Sequence, residues 1–286
     1  MHELESRELD GLRPPRLAMA PSVYAARTWR LRHYIKAEAR SRVASSHSDL
    51  AFGRFWLVLE PALYVSVYYL LFGLALKTGR DLDAIDYLSY LVVGKVSFQF
   101  VRRGVLSCAG STKTAELGDP EVPAVVKPLS RIVRGVIVYR FEITVAIIVC
   151  LTRGASVRLA WLLLLPLTAL SVLSSLGLGL WLGRGIMRVP DVKNTLPHFM
   201  RLVFYSSGVI FPVEIYIRET ENGEFLLDLY TLLNPFFAMV KLHQGAILGY
   251  DQYPVQMAVM ATVLWSFLFV MLGIRSIIRA EAEHQG

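Results

Sequence analysis

The stretch WLLLLPLTALSVLSSLGLGLWL, residues 161–182, carries no charged side chain. An α-helix needs roughly 20 mostly apolar residues to cross the hydrocarbon core of a bilayer. The same apolar pattern recurs five times along the chain, at residues 55–76, 87–108, 132–152, 196–212 and 255–274. The sequence therefore predicts an all-α integral membrane protein with six transmembrane helices.

The composition agrees with a chain that lies mostly in a membrane. Of its 286 residues, 54% are hydrophobic and 19% are charged, whereas soluble domains have about 25% charged residues. We expect a cytoplasmic N-terminal region at 1–50 and the six-helix transmembrane domain at 51–286. The N-terminal region lacks the features of a signal peptide, so we expect it to be retained. Cys108 and Cys150 lie in apolar runs and are predicted to be small buried side chains.

The net charge of +7 is explained by where the basic residues lie. Eighteen lysines and arginines fall in segments that would share a side with the N-terminus, and six fall in segments on the opposite side. Because cytoplasmic loops carry the excess of basic residues, both termini are predicted to be cytoplasmic. The charge thus reflects topology, and we expect no nucleic acid as a partner.

Two features stand out near the first predicted span, one before it and one within it. Residues 27–42 mix basic with aromatic and aliphatic side chains, which is typical of an amphipathic helix in the headgroup layer, although a solvated linker would also show it. Within the span, Tyr64, Tyr68 and Phe72 recur every four residues and so share one helix face. These rings are either packing and interface residues or the lining of a path for a sugar.

Ionisable side chains inside predicted spans are costly and tend to face protein or water. Arg102 and Arg103 lie near the cytoplasmic end of the second span, where long side chains can extend to the interface. Lys95, Arg140 and Glu142 lie deeper. We predict that these three pair with one another or line a conduit.

The segment 213–254 is largely apolar, but its two apolar stretches are each too short to cross, and Asn234-Pro235 separates them. This pattern predicts an outer re-entrant helical hairpin, with a hairpin lying flat at the interface as the alternative. In the fourth span, Gly179 and Gly183 lie four residues apart. Small residues at this spacing predict a close contact between two helices.

No stretch supplies the chemistry of an enzyme. Residues 110–114, GSTKT, resemble part of a phosphate-binding loop but lack the complete pattern Gly-x-x-x-x-Gly-Lys-Ser/Thr. The sequence has no His-Glu-x-x-His helix, no Cys-x-x-Cys pair and no Gly-x-Ser-x-Gly turn. We expect no catalytic residues, metal or cofactor in this chain, and if it moves a substrate uphill, the energy must come from a partner or an ion gradient.

Several short motifs occur in an order that is typical of one family. They are GRFWLVLEP at 53–61, prolines at 123 and 128, RVPDVK at 188–193, GVIFP at 208–212, LNP at 233–235 and LG at 248–249. Over residues 27–275 the chain resembles the permease subunit of ABC-2-type exporters. The resemblance is to the branch that exports polysaccharides, O-antigens and teichoic acids on lipid carriers.

This resemblance implies a homodimer in the bacterial cytoplasmic membrane, bound to two copies of a separate ABC ATPase subunit that holds ATP and Mg²⁺. The cargo would be a lipid-linked glycan such as an O-antigen, a teichoic acid or a cell-wall galactan. A short helix at 109–117 would dock on the ATPase through Thr112, Lys113, Glu116 and Leu117. The substrate path would include Tyr64, Tyr68, Phe72, Lys95, Arg102, Arg103 and Tyr205, with the three basic residues near the diphosphate of the carrier.

Three other functions stay open at the level of sequence. An ABC-2 permease for a drug or a small lipid would share the architecture but would have an apolar cavity. An enzyme acting on lipid-linked sugars would concentrate acidic or histidine residues at one face, and the only acidic cluster lies at 214–224. An ion-coupled carrier would show broken helices in two repeated halves, and no such repeat is evident.

Overall fold

The structure, a computed structural model, describes residues 21–45, 55–71, 86–115 and 123–283. Within these ranges every regular element is a helix, and a short 3₁₀ helix at Leu159–Leu163 leads into α6. The α-helices are α1 Pro21–Arg30, α2 Arg32–Ser45, α3 Trp56–Tyr68, α4 Tyr87–Ala115, α5 Val126–Thr152, α6 Leu164–Arg188, α7 Val192–Ser206, α8 Val213–Arg218, α9 Gly223–Leu233, α10 Pro235–Leu248 and α11 Val255–Glu283.

Three helical segments are long and apolar enough to cross a membrane, at Val126–Thr152, Leu159–Arg188 and Val255–Ala280. Helices α9 and α10 meet at an angle of 103° and together make a fourth candidate, as a broken span or a re-entrant loop. The all-helical prediction is confirmed for the described residues, and their apolar helices are compatible with a protein that spans a membrane. The described residues contain three or four candidate spans by length and composition, where the sequence predicts six.

The other predicted spans fall short for different reasons. Helix α4 is long enough to cross a membrane but too polar to be a candidate span by composition. Most of its side chains are covered by other helices. Helix α7 has 15 residues, so it rises only about 22 Å against a hydrocarbon core of roughly 30 Å. It ends at Ser206, and the chain then turns at Gly208, whose φ is 65°. The first span is described only over residues 55–71.

Helix α4 forms the centre of the bundle. It packs against α5 and α6 along its length and against α10 near its start. Tyr90, Leu91 and Phe98 of α4 are fully buried, and Phe100 stacks on Tyr139 of α5 with 4.3 Å between the ring centroids. A helix covered in this way can carry polar residues, because they face protein rather than lipid.

Helices α4 and α6 run parallel and touch through glycines of α6. A Cβ atom built on Gly179 would lie 2.5 Å from Cβ of Cys108, and one built on Gly183 would lie 2.3 Å from Oγ1 of Thr112. These separations are shorter than van der Waals contact, so any larger residue would push the helices apart. The close contact predicted at these two glycines is confirmed.

The amphipathic segment predicted at 27–42 is helical, but it consists of two helices. Helix α1 ends at Arg30, and α2 runs along α5. Ile35 and Ala39 of α2 are buried, whereas Trp29 and Tyr34 are exposed. One face of α2 therefore packs on protein, and its position in the headgroup layer stays a prediction.

An ion pair joins the start of α4 to the end of α5. Nη2 of Arg153 lies 2.7 Å from Oδ1 of Asp86, and the backbone N–H of Ser89 donates to Oδ2 of Asp86 at 2.9 Å. Burial raises the pKa of the Asp86 carboxyl, but the bonds from Arg153 and Ser89 outweigh it, so the pKa lies below its ordinary value.

This lowered pKa predicts a dependence of stability on pH. The ionised carboxyl of Asp86 stabilises the fold above its unfolded pKa of about 3.9, and the stabilisation disappears as the pH falls through the lower folded pKa. Asp86→Asn should cause a small loss of stability at neutral pH, because partly exposed pairs contribute little. It should also flatten the acid side of a plot of melting temperature against pH, compared with the unaltered chain. An unchanged acid side in Asp86→Asn would contradict this assignment.

Candidate functional site

Helices α3, α4 and α7 bring a lysine and several aromatic rings together. Nζ of Lys95 lies 4.3 Å from the ring centroid of Phe204 and 5.2 Å from that of Tyr68. The ring of Tyr205 meets that of Phe204 with 5.5 Å between centroids. A cation is attracted to the face of an aromatic ring, so these contacts hold the ammonium group in place. We call Tyr68, Lys95, Phe204 and Tyr205 the cation–aromatic cluster.

The cluster contains three of the residues predicted to line a substrate path, namely Tyr68, Lys95 and Tyr205. Tyr205 is 47% exposed, and Tyr68 is half-buried, so both rings can be reached from outside the bundle. The sequence analysis did not include Phe204, the ring that joins the others. Tyr64 belongs to α3, but its side chain lies outside the described part of the chain, as does all of Phe72.

A series of rings leads from the cluster to a groove beneath the hairpin formed by α9 and α10. Phe98 lies 5.2 Å from Phe204 and 6.1 Å from Phe236, measured between ring centroids. Phe236 lines a groove of about 730 Å³ between α7 and the hairpin α9–α10. The walls are mostly apolar, and polar atoms come from Ser206, Thr220, Tyr230 and Asn234. Phe98 and Phe204, which connect the cluster to the groove, are buried, so the series is a line of packed rings between two more exposed surfaces.

The carboxylate predicted inside the third span has another partner than expected. Glu142 is buried and forms an ion pair with Arg103 of α4, while the guanidinium of Arg140 lies 5.8 Å from the ring of Phe141. Glu142 thus pairs with Arg103 of the second predicted span, and a conduit lined by Lys95, Arg140 and Glu142 stays a prediction. Helical residues two apart do not share a face, which explains why positions 140 and 142 lie in different surroundings. Arg102 is half-buried.

A second charged pair is completely buried beneath the α9–α10 hairpin. Nζ of Lys241 lies 2.7 Å from Oε1 of Glu214, and both side chains have 0% exposure. Lys241 also donates to the hydroxyl of Tyr90 and to the carbonyl of Gly208, and the Tyr250 hydroxyl donates to Glu214. The ammonium group lies within cation–π distance of three rings, those of Tyr90, Phe237 and Tyr250. We call Lys241 and Glu214 the hairpin ion pair.

The hairpin ion pair joins α8 and α10 to the start of α4 and to the turn after α7. Sequence analysis missed Lys241, which lies in an apolar run 27 positions after its partner. A single cation in such a run is the signal that could have found it, since a charge at this depth requires a partner. The predicted acidic cluster therefore separates: Glu214 binds Lys241 inside the bundle, while Glu224 contacts Arg218 at 3.2 Å near the surface.

The predicted coupling residues lie at the end of α4 and beyond it. Residues 109–115 continue α4 without a break and do not form a separate short helix. Thr112 is buried against α6, and its hydroxyl donates to the carbonyl of Ala109 at 2.7 Å. The side chain of Lys113 and the residues Glu116 and Leu117 lie outside the described part. Docking of this segment on an ATPase stays a prediction.

Comparison with known proteins leaves the functional conclusion to the fold and the site. The chain matches no protein-family model and no curated protein sequence.

The prediction that Cys108 and Cys150 are buried is confirmed, and both thiols are free. Across the described ranges, no group of three or more His, Cys, Asp or Glu side chains could hold a metal ion.

Proposed function

We propose that this chain is the membrane-spanning subunit of an ABC exporter that moves a lipid-linked polysaccharide out of the bacterial cytoplasm. The observation that carries the proposal is the cation–aromatic cluster, in which the exposed ring of Tyr205 is joined to Lys95 through the ring of Phe204, together with the apolar groove nearby. Sugar rings can pack their C–H faces on exposed aromatic rings, and the lipid part of the substrate can follow the apolar surface. A lysine beside the rings adds a donor for hydroxyl and phosphate oxygens.

The proposed topology has six crossings, made by α3, α4, α5, α6, α7 and α11, with both termini in the cytoplasm. The distribution of basic residues supports this arrangement. The helices α1 and α2 would lie at the cytoplasmic interface, and α9–α10 would form the outer re-entrant hairpin. The bend of 103° at Asn234-Pro235 suits a segment that enters and leaves on one side.

The proposed assembly is a homodimer with two copies of an ATPase subunit, which would supply the ATP and Mg²⁺. Helix α4 offers a mechanical link, because its 29 residues form a continuous rod about 43 Å long. One end carries the proposed coupling segment, and Lys95 lies along its length. A pull on this end by ATP binding would move α4 together with α6, since the two helices are locked by contacts at Gly179 and Gly183. That movement would open the ring-lined face to the substrate.

The test is the ATPase activity of this protein purified with the ATPase subunit encoded beside it. We expect a stable complex whose hydrolysis rate rises when lipid-linked glycan is added. A complex that ignores glycan but responds to a drug or a small lipid would support the alternative ABC-2 exporter, which the mostly apolar lining of the groove favours. Failure to form any complex would contradict both.

The cation–aromatic cluster gives a sharper prediction within the same assay. Tyr205→Leu should raise the glycan concentration for half-maximal stimulation about fivefold, because an aromatic contact contributes about 1 kcal/mol. Phe267→Leu, which removes an exposed ring from α11 (65% exposed), is the matched control and should change nothing. Equal responses of the two variants would mean that Tyr205 does not contact the substrate.

A further inference from the structure

A second pocket lies at the other end of the bundle, where α6 and α11 end. The two helices run parallel: Ser174 meets Ser266 with 2.7 Å between their hydroxyl oxygens, and a Cβ on Gly273 would touch the backbone of Gly177. Their last turns therefore lie side by side. Between them is a pocket of about 470 Å³. We call it the arginine pocket.

Four arginines line this pocket, two from each helix. They are Arg184 and Arg188 of α6 and Arg275 and Arg279 of α11. Each pair is spaced four residues apart, so each helix presents both of its arginines on one face. None of the lining residues that the structure describes is acidic. Arginines gathered in this way attract an anion, and the exposed side chains of Arg275 and Arg279 are accessible to it.

The remaining lining residues suit the boundary between headgroups and acyl chains. Trp181 is 46% exposed, and a tryptophan with an accessible indole is typical of the membrane interface. Leu182, Val192 and Leu272 provide an apolar wall, and Ser276 adds a hydroxyl group. The pocket thus offers positive charge and apolar surface next to each other, at the ends of two helices that can cross a membrane.

From this combination we infer that the arginine pocket binds an anionic phospholipid of the cytoplasmic leaflet. Guanidinium groups bind phosphate oxygens through paired, charge-assisted hydrogen bonds, and basic pockets between membrane helices are suited to cardiolipin-like headgroups. Arg275 and Arg279 are exposed and would reach the phosphates, while the acyl chains would lie along the apolar wall. This site goes beyond the proposed export function, because it requires only that the chain spans a membrane with this end of the bundle toward the cytoplasm.

The test measures binding of cardiolipin to the purified, delipidated chain in micelles of an uncharged detergent, by native mass spectrometry and by the rise in melting temperature. Arg275→Gln with Arg279→Gln should weaken binding about tenfold or more, since each charge-assisted contact contributes more than 1 kcal/mol. The control pair, Lys193→Gln with Arg201→Gln, removes two exposed charges outside the pocket. It should bind cardiolipin like the unaltered chain. Because no ATPase and no glycan are present, failure of the export proposal would not affect this result.

Several outcomes would overturn the inference. If the double variant at Arg275 and Arg279 binds cardiolipin as the unaltered chain does, the pocket is not the binding site. If both double variants lose cardiolipin affinity equally, binding reflects a general attraction to positive charge. Inorganic phosphate that stabilises the chain as well as cardiolipin does would make this a site for free phosphate. Preference for a polyprenyl diphosphate over cardiolipin would assign the pocket to the transported lipid carrier instead.

Discussion

Lys241→Met should lower the free energy of unfolding by about 3–5 kcal/mol, the range for breaking a buried ion pair from one side. Both members of the hairpin ion pair have 0% exposure, so the substitution leaves the carboxylate of Glu214 inside the bundle without its cation. The hydroxyl of Tyr250 would still donate to that carboxylate, but a neutral donor does not balance a full negative charge. Unfolding of the purified protein in detergent, followed by far-UV circular dichroism of its helices, measures the loss of stability.

Two further variants separate the ion pair from simple disruption of the core. Adding Glu214→Gln to Lys241→Met removes the stranded charge and should recover a substantial part of the lost stability. Arg218→Gln breaks the neighbouring pair with Glu224, whose side chains are 33% and 78% exposed, and should cost less than about 1 kcal/mol. If the double variant is no more stable than Lys241→Met, the loss comes from packing and the electrostatic explanation fails.

The parts of the fold that sequence could predict are those with local signals. The apolar runs at 132–152, 159–182 and 255–274 correspond to the three segments that can cross a membrane. The break at Asn234-Pro235 is encoded by two residues, because Asn234 caps α10 by accepting from Phe237 N and proline fits the first helical turn. Such features depend only on neighbours along the chain.

The parts that sequence could not predict depend on contacts between distant segments. Helix α4 tolerates its polar residues because other helices surround it, which composition alone does not reveal. Arg103 and Glu142 pair across 39 positions, while the sequence placed Arg103 at the interface. Helix α7 stops short because the turn at Gly208 receives hydrogen bonds from Tyr90 and Lys241. Tertiary contacts therefore end α7 at Ser206, before the end of the predicted span at 196–212, and a local apolar run does not show them.

The candidate site shows the same division. The spacing of aromatic residues pointed to Tyr68, and the polarity of the second span pointed to Lys95. Neither signal indicated that the two side chains meet, because the meeting point is the ring of Phe204 on α7. Residue type and spacing can nominate members of a cluster, whereas the way three helices pack decides which of them come together.

The contact between α6 and α11 leads to the second large effect. A Cβ atom on Gly177 would lie 2.3–2.5 Å from backbone atoms of Phe269 and Val270, and backbone atoms cannot rotate away as a side chain can. Gly177→Ala should therefore separate the helices and lower the free energy of unfolding by about 1–3 kcal/mol, as overpacking of a tight core does. In lipid, helix association depends on such close packing, because no hydrophobic force drives it.

The control is the same glycine-to-alanine substitution two helical turns later on α6. A Cβ on Gly185 would meet nothing within 4 Å, so Gly185→Ala should stabilise α6 by about 0.5–1 kcal/mol through helix propensity alone. Unfolding in detergent of the two variants should thus give opposite signs from an identical substitution in one helix. Gly273→Ala meets the same contact from α11, so its effect should not add fully to that of Gly177→Ala. Full additivity, or losses of equal size at Gly177 and Gly185, would mean that α6 and α11 are not held together by this glycine contact.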